Sequence, residues 1–270
     1  MSNHQFIRVS IRMAFDVNVQ QQPKLMHRLT KIGIPTLDER LKGLPTNSVI
    51  LLVGDPGSGF DTFLHQVLYQ RKQAGANILY VSLDRSEEEI EYDMSIYKWT
   101  AKDWNLIDLS PGAEKHANQN TMSWSMDSVN LLSHDLIRRL EEIKEKARHQ
   151  AIHTEIKLDS TINSLTSMLL HADSERSVIS FLNEYAATIR DTNGFHFLTL
   201  LRGVHGEQTE RLLEHIADVV LEFLTVREGN EYQRVLGVKK MRGIIAPPSS
   251  LFPLEFTDKG VLPVTTTKIK

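Results

Sequence analysis

The sequence predicts an α/β fold: a mostly parallel sheet with helices on both faces and an antiparallel C-terminal edge. Three observations carry this. Apolar strand-like runs alternate with segments of helical period from Val49 to Leu201. A glycine-rich turn joins the first of those runs to a helix. Near the C-terminal end, Val219–Leu224 and Tyr232–Val238 flank Glu228-Gly229-Asn230, a hairpin signal. Strands alternating with helices favour parallel pairing, and the closing hairpin supplies an antiparallel edge.

Taken in order, Ile32–Leu41 reads as a turn capped by Thr36 and a short helix closed near Gly43. Pro45-Thr46-Asn47-Ser48 is a turn before the strand Val49–Val53. A helix covers Phe63–Lys72, and Ala74–Asn77 turns the chain into the strand Ile78–Leu83. Glu87–Tyr97 is a helix and Asn105–Leu109 a strand. Ala113–Asp127 is polar and aperiodic, an expected exposed loop, and Leu131–His149 is a charged amphipathic helix. Ile156–Ser160 is the next expected strand. A helix capped by Ser174 follows and ends at Asn193-Gly194, before the strand Phe195–Leu201.

The composition narrows the function classes. The chain has 270 residues, of which 41% are apolar, enough for a sizeable core. With 31 basic and 34 acidic side chains the formal charge is −3, which gives no electrostatic case for nucleic acid beyond a local patch. The absence of cysteine excludes disulfides, thiolate catalysis and cysteine–zinc sites, and fits a reducing cytoplasm. No apolar run approaches the ~20 residues of a membrane span. Residues 1–29 read as an N-terminal extension without the apolar core of a secretory signal, although Arg8 and Arg12 precede the first acid, Asp16, as in some targeting peptides.

Gly54-Asp55-Pro56-Gly57-Ser58-Gly59-Phe60-Asp61-Thr62 is the segment that bears on chemistry. Strand, glycine-rich turn and helix are the setting of a phosphate-binding loop, G-x-x-x-x-G-K-[ST]. Gly54 and Gly59 stand at the required spacing, but the lysine position holds Phe60 and the magnesium-ligand position holds Asp61. In an intact loop, backbone N–H groups and the helix N-terminus hold the phosphates, the lysine neutralises them and the hydroxyl holds magnesium. Phe60 offers neither charge nor donor. The Asp61 carboxylate would repel a polyphosphate by roughly 1–4 kcal/mol. Direct magnesium ligation by Asp61, or a hydroxyl from Thr62 after a one-residue shift, would still leave the cation missing. A turn retained only for the fold is the competing reading.

Other constellations are weaker. A dinucleotide fingerprint would need glycine where Thr62 stands. His149 and His153, one helical turn apart, lack a third metal ligand nearby. Ser164, Ser167 and His171 lack an acid partner. Trp99 and Trp104 read as packing residues, and Glu141 to Arg148 as a solvated, charged helix face.

The ordered set of motifs resembles the RecA-like branch of P-loop ATPases and, within it, the KaiC-like family. The resemblance runs from Gly33-Ile34-Pro35-Thr36-Leu37-Asp38, through the loop, Leu79–Asp84 and Leu158-Asp159-Ser160, to Lys240-Met241-Arg242-Gly243 and Pro253–Phe256 with Gly260-Val261. It implies a RecA/KaiC-like P-loop domain over residues 30–270. It also implies ATP and magnesium as cofactors, with the loop residues Gly54 to Thr62 binding nucleotide. Asp84 then falls where the family carries the first of two acids that act on the attacking water. Arg85 replaces the second and cannot serve as a base. Asp159 matches the Walker-B acid that assists magnesium. In hexameric relatives, the lysine and arginine of the late motif reach the γ-phosphate held by a neighbouring subunit, a role that would fall to Lys240 and Arg242.

Departures at Phe60, Asp61 and Arg85 strike the same chemistry. The expectation is therefore a catalytically impaired member with weak or no ATP binding, similar to inactive paralogues in this superfamily. It would act as a regulatory or assembly subunit through protein partners or self-association. Two alternatives stand beside it: an active ATPase completed in trans by Lys240 and Arg242, and a recombinase-like DNA-repair accessory protein.

Overall fold

The protein is described by a computed structural model covering residues 28–111, 113, 129–150, 155–243 and 251–264. The N-terminal extension up to residue 27, the loop after Ala113 and His153 lie outside the described residues. Among these residues a nine-stranded sheet organises the fold. The parallel strands are β3 (Ser48–Gly54), β4 (Asn77–Ser82), β5 (Asn105–Asp108), β6 (Leu158–Asn163), β7 (Phe195–Leu201) and β8 (Val219–Glu228). From β8 the sheet continues antiparallel through β9 (Glu231–Met241), β10 (Leu251–Thr257) and β11 (Gly260–Pro263), so its order is β11-β10-β9-β8-β3-β7-β6-β4-β5. The β8–β9 turn falls at Gly229-Asn230, where the hairpin signal stands.

Alternation along each central strand sends side chains to opposite faces, and two cores result. Ile50, Leu52, Ile78 and Tyr80 pack with helices α1 (Pro35–Leu41), α2 (Phe60–Gln73) and α3 (Glu87–Ser95). Val49, Leu51, Val53, Leu79 and Val81 pack with α4 (Val129–Gln150), α5 (Leu165–His171), α6 (Glu175–Thr188) and α7 (Glu207–Ile216). Trp99 and Trp104 are buried, stacked at 4.7 Å on Tyr97 and 5.8 Å on Tyr80, so both are packing residues.

Several boundaries differ from expectation. Leu29–Thr30 (β1) pairs with Leu44–Pro45 (β2), so ordered pairing begins inside the expected extension and replaces part of the expected turn. Thr36 does not cap α1. The helix begins at Pro35, and the Asp38 carboxylate reaches back to accept from the N–H groups of Ile32 (2.8 Å) and Gly33 (3.0 Å). On α4, Lys144 is buried rather than solvated; its ammonium donates to the Thr188 carbonyl at 2.9 Å and pairs with Asp191 at 2.6 Å. The shift that bears on the loop is in β6, which runs to Asn163 instead of ending at Ser160.

Candidate functional site: the loop after β3

β3 is flanked by β7 and β8 and delivers Gly54 to the sheet's C-terminal edge, level with Leu201 and Phe223. Two bonds from Asp55 to β8 shape the loop: its N–H donates to the Phe223 carbonyl (3.0 Å), and its carboxylate accepts from Thr225 N–H (3.0 Å). Ser58 N–H closes the turn on the Asp55 carbonyl at 3.1 Å, and Gly59, at φ 95°, starts α2. The loop thus wraps the helix N-terminus as the spacing predicts, with Pro56 and Gly57 exposed and Ser58 buried.

Phe60 does not face the loop's exterior. It is 6% exposed and packs toward Phe223, with ring centroids 6.5 Å apart. A Cβ on Gly54 would lie 2.3 Å from Phe60 Cδ1, so glycine is required there by the ring itself. The lysine position has become a core position, worth about 2–3 kcal/mol of burial. Outside the loop, the ring of Phe256 lies where a Cβ on Gly59 would meet its Cζ at 2.1 Å. Arg234 donates from Nε to the Gly57 carbonyl (2.8 Å), its guanidinium 4.8 Å from the Phe256 ring centroid.

Asp61 sits in the first turn of α2 with Thr62, both half-buried. Its carboxylate accepts from Asn163 Nδ2 at 3.3 Å and lies 3.5 Å from the Arg85 guanidinium. Burial is the dominant influence and raises its pKa, against the lowering pull of Arg85 and of the Asn163 hydrogen bond. Arg85 also pairs closely with Asp93 on α3. Its neighbour Asp84 is exposed and accepts from the Ser167 hydroxyl. Asn163 donates a second bond to Tyr80 OH (2.8 Å) and accepts from Thr199 Oγ1 (2.7 Å). Tyr80 OH in turn shares a hydrogen bond with His65 Nε2 at 3.0 Å. Burial depresses the His65 pKa to about 3, so the imidazole is neutral.

The structure brings Asp61, Asp84 and Arg85 together beside the loop; it does not bring Asp159 there. Asp159 is the second residue of β6, fully buried, and held by Arg71 of α2 at 2.6 and 3.1 Å and by Phe195 N–H at 2.9 Å. At ~3.3 Å per residue it lies ~13 Å below the strand tip, at the opposite edge of the sheet from the loop. The assignment of Asp159 to magnesium is therefore corrected: the tip residue facing the loop is Asn163. Lys240 and Arg242 are also remote from this chain's own loop, at the end of β9 opposite Val219 and Val220. Lys240 donates to the carbonyls of Glu214, His215 and Ala217 behind α7, and Arg242 pairs with Asp218 at 2.7 Å.

Sequence reasoning missed Asn163, Arg234 and Phe256. For Asn163 a signal was present: Thr161-Ile162 extends the strand past Ser160 with β-branched residues. The loop keeps the strand–turn–helix course of a phosphate-binding loop, with the N–H groups of Asp55 and Ser58 bonded to carbonyls of Phe223 and Asp55. The side chains do not fit its magnesium: Asp61 is paired with Arg85, an amide occupies the β6 tip, and no group of three His, Asp or Glu suited to a metal occurs among the described residues. Among those residues, no helix is long and apolar enough to cross a membrane.

Comparison with known proteins agrees with this architecture. Residues 30–267 match the KaiC ATPase family. The chain is 28% identical to a UPF0273 protein of Pyrococcus furiosus, over 88% of this chain and 94% of that protein. It is 24% identical to the circadian clock protein KaiC3 of Synechocystis, over 78% of this chain and 40% of that longer protein. A solved KaiC-like protein of Pyrococcus horikoshii superposes with a TM-score of 0.64 at 21% identity, covering 88% of this chain and 99% of the other, which establishes the shared fold. By the near-complete family match and by its sheet order, the chain belongs to the KaiC family of RecA-like P-loop ATPases.

Proposed function

We propose that this chain is a KaiC-family member that does not turn over ATP, binds nucleotide weakly or not at all, and acts as a regulatory or assembly subunit through protein partners or self-association. The observation that carries the reading is the joint fate of the reactive positions. Phe60 is buried beneath the loop, Asp61 is paired with Arg85, and Asn163 stands at the tip of β6. An amide and a guanidinium cannot accept a proton from water, and an aromatic ring cannot neutralise a phosphate. Asp84 is the remaining candidate for orienting a water, and Ser167 already donates to one of its oxygens. The trans-completed alternative needs Lys240 to reach a neighbouring subunit, yet its ammonium is held by three backbone carbonyls. The formal charge of −3 does not favour the DNA-repair alternative.

The test is phosphate release from ATP and magnesium by the purified chain. Release at background level is expected. Turnover that Asp84→Asn abolishes would overturn the reading, and turnover lost with Arg242→Ala would favour completion in trans.

A further inference from the structure

The disagreement between this site and the magnesium ion its family implies has a specific form. Three departures, Asp61, Arg85 and Asn163, complement one another. An acid at 61 faces the two donors of an amide and of a guanidinium, whereas an acid at 163 would face it across 3.3 Å as a like charge. Arg85 lies between Asp61 and Asp93, with Asp84 adjacent in sequence. Its backbone is fixed by Ser82, whose hydroxyl donates to the Arg85 carbonyl (2.5 Å) and accepts from its N–H (3.3 Å). The side chain is 43% exposed, on an open groove of about 490 Å³ lined also by Ser86, Glu88, Glu89, Tyr92 and Asp93. Water and small ions therefore reach it freely.

We infer that Arg85 is the built-in cation of this site: its guanidinium stands in place of a divalent metal, neutralises Asp61 and Asp93, and makes the loop's order independent of magnesium. Arg85 is then a specificity-determining residue that excludes metal. This extends the non-hydrolysing reading of the same site. Removing the guanidinium should leave the carboxylates of Asp61 and Asp93 without their shared counter-charge, beside a groove open to divalent ions, and two carboxylates are a usual share of a magnesium ion's ligands.

The experiment uses metal alone, without nucleotide, so that it fails independently of the phosphate-release assay. Thermal unfolding is compared in magnesium or manganese chloride and in EDTA at matched ionic strength. The wild-type chain should show no metal-dependent change. Arg85→Gln, and Arg85→Met, which retains the aliphatic stem, should each gain a rise of about 3 °C at metal concentrations ten times Kd. Arg85→Lys should behave as wild type, and Asp61→Asn added to Arg85→Gln should remove the gain. A metal-dependent rise in the wild type, or none in Arg85→Gln and Arg85→Met, would overturn the inference.

Discussion

Asp159 illustrates how one residue's role follows from its height on a strand. At the root of β6 its carboxylate and the Arg71 guanidinium form an ion pair with side chains 0% and 5% exposed. Arg71 also lies 4.6 Å from the ring centroid of Phe195. Removing one partner strands the other without solvent, so Arg71→Met or Asp159→Leu should each cost about 3–5 kcal/mol of stability, whereas the double replacement should recover much of that loss. Urea denaturation of the single and double variants checks this, and equal losses in all three would contradict it. Phe60 makes the complementary case. Restoring lysine there draws a ring from the core, and Phe60→Lys should lower stability by about 2–3 kcal/mol in the same assay. Position 60 therefore cannot take a lysine without structural cost.

Among the elements, the strand–turn–helix of β3 and α2 was readable because alternation and glycine spacing are local signals. β6 was not. Its residues Ser160, Thr161 and Asn163 are polar yet buried, and a local window penalises them. For Ser160 and Asn163 the compensation is distant in sequence: Ser160 Oγ lies 2.6 Å from Tyr185 OH and 2.5 Å from His196 Nδ1, while Asn163 meets Asp61, Tyr80 and Thr199. Arg85 was read as a lost acid for the same reason, since its partner Asp61 is visible only after folding. The charged helix α4 was also misjudged where tertiary pairing intervenes. Lys144 satisfies the Thr188 carbonyl at the end of α6, so Lys144→Met should cost about 1–3 kcal/mol. Loss of amide protection near residue 188 in hydrogen exchange would locate that cost at the α4–α6 contact.

For the whole molecule, two buried neutral histidines set the response to acid. Burial depresses both His65 and His196 to about 3, well below the ordinary value of 6.5. The unfolded chain therefore binds more protons than the folded one between those values. Stability should be full above about pH 6.5 and fall as pH drops, by up to ~1.4 kcal/mol per pH unit for each histidine. Urea midpoints at pH 7.5 and 5.0 test the sign, and His196→Gln should flatten the slope. The sheet also places its latest-made strands against its earliest helices. Val261 N–H donates to Gln66 Oε1 at 2.8 Å, and Phe252, Leu254 and Val261 belong to the same core as Phe60 and Phe63. During synthesis on the ribosome that apolar face stays bare until β10 and β11 have emerged. Nascent or truncated chains ending before Leu251 should consequently recruit chaperones or precipitate, while chains that include β10 and β11 stay dispersed.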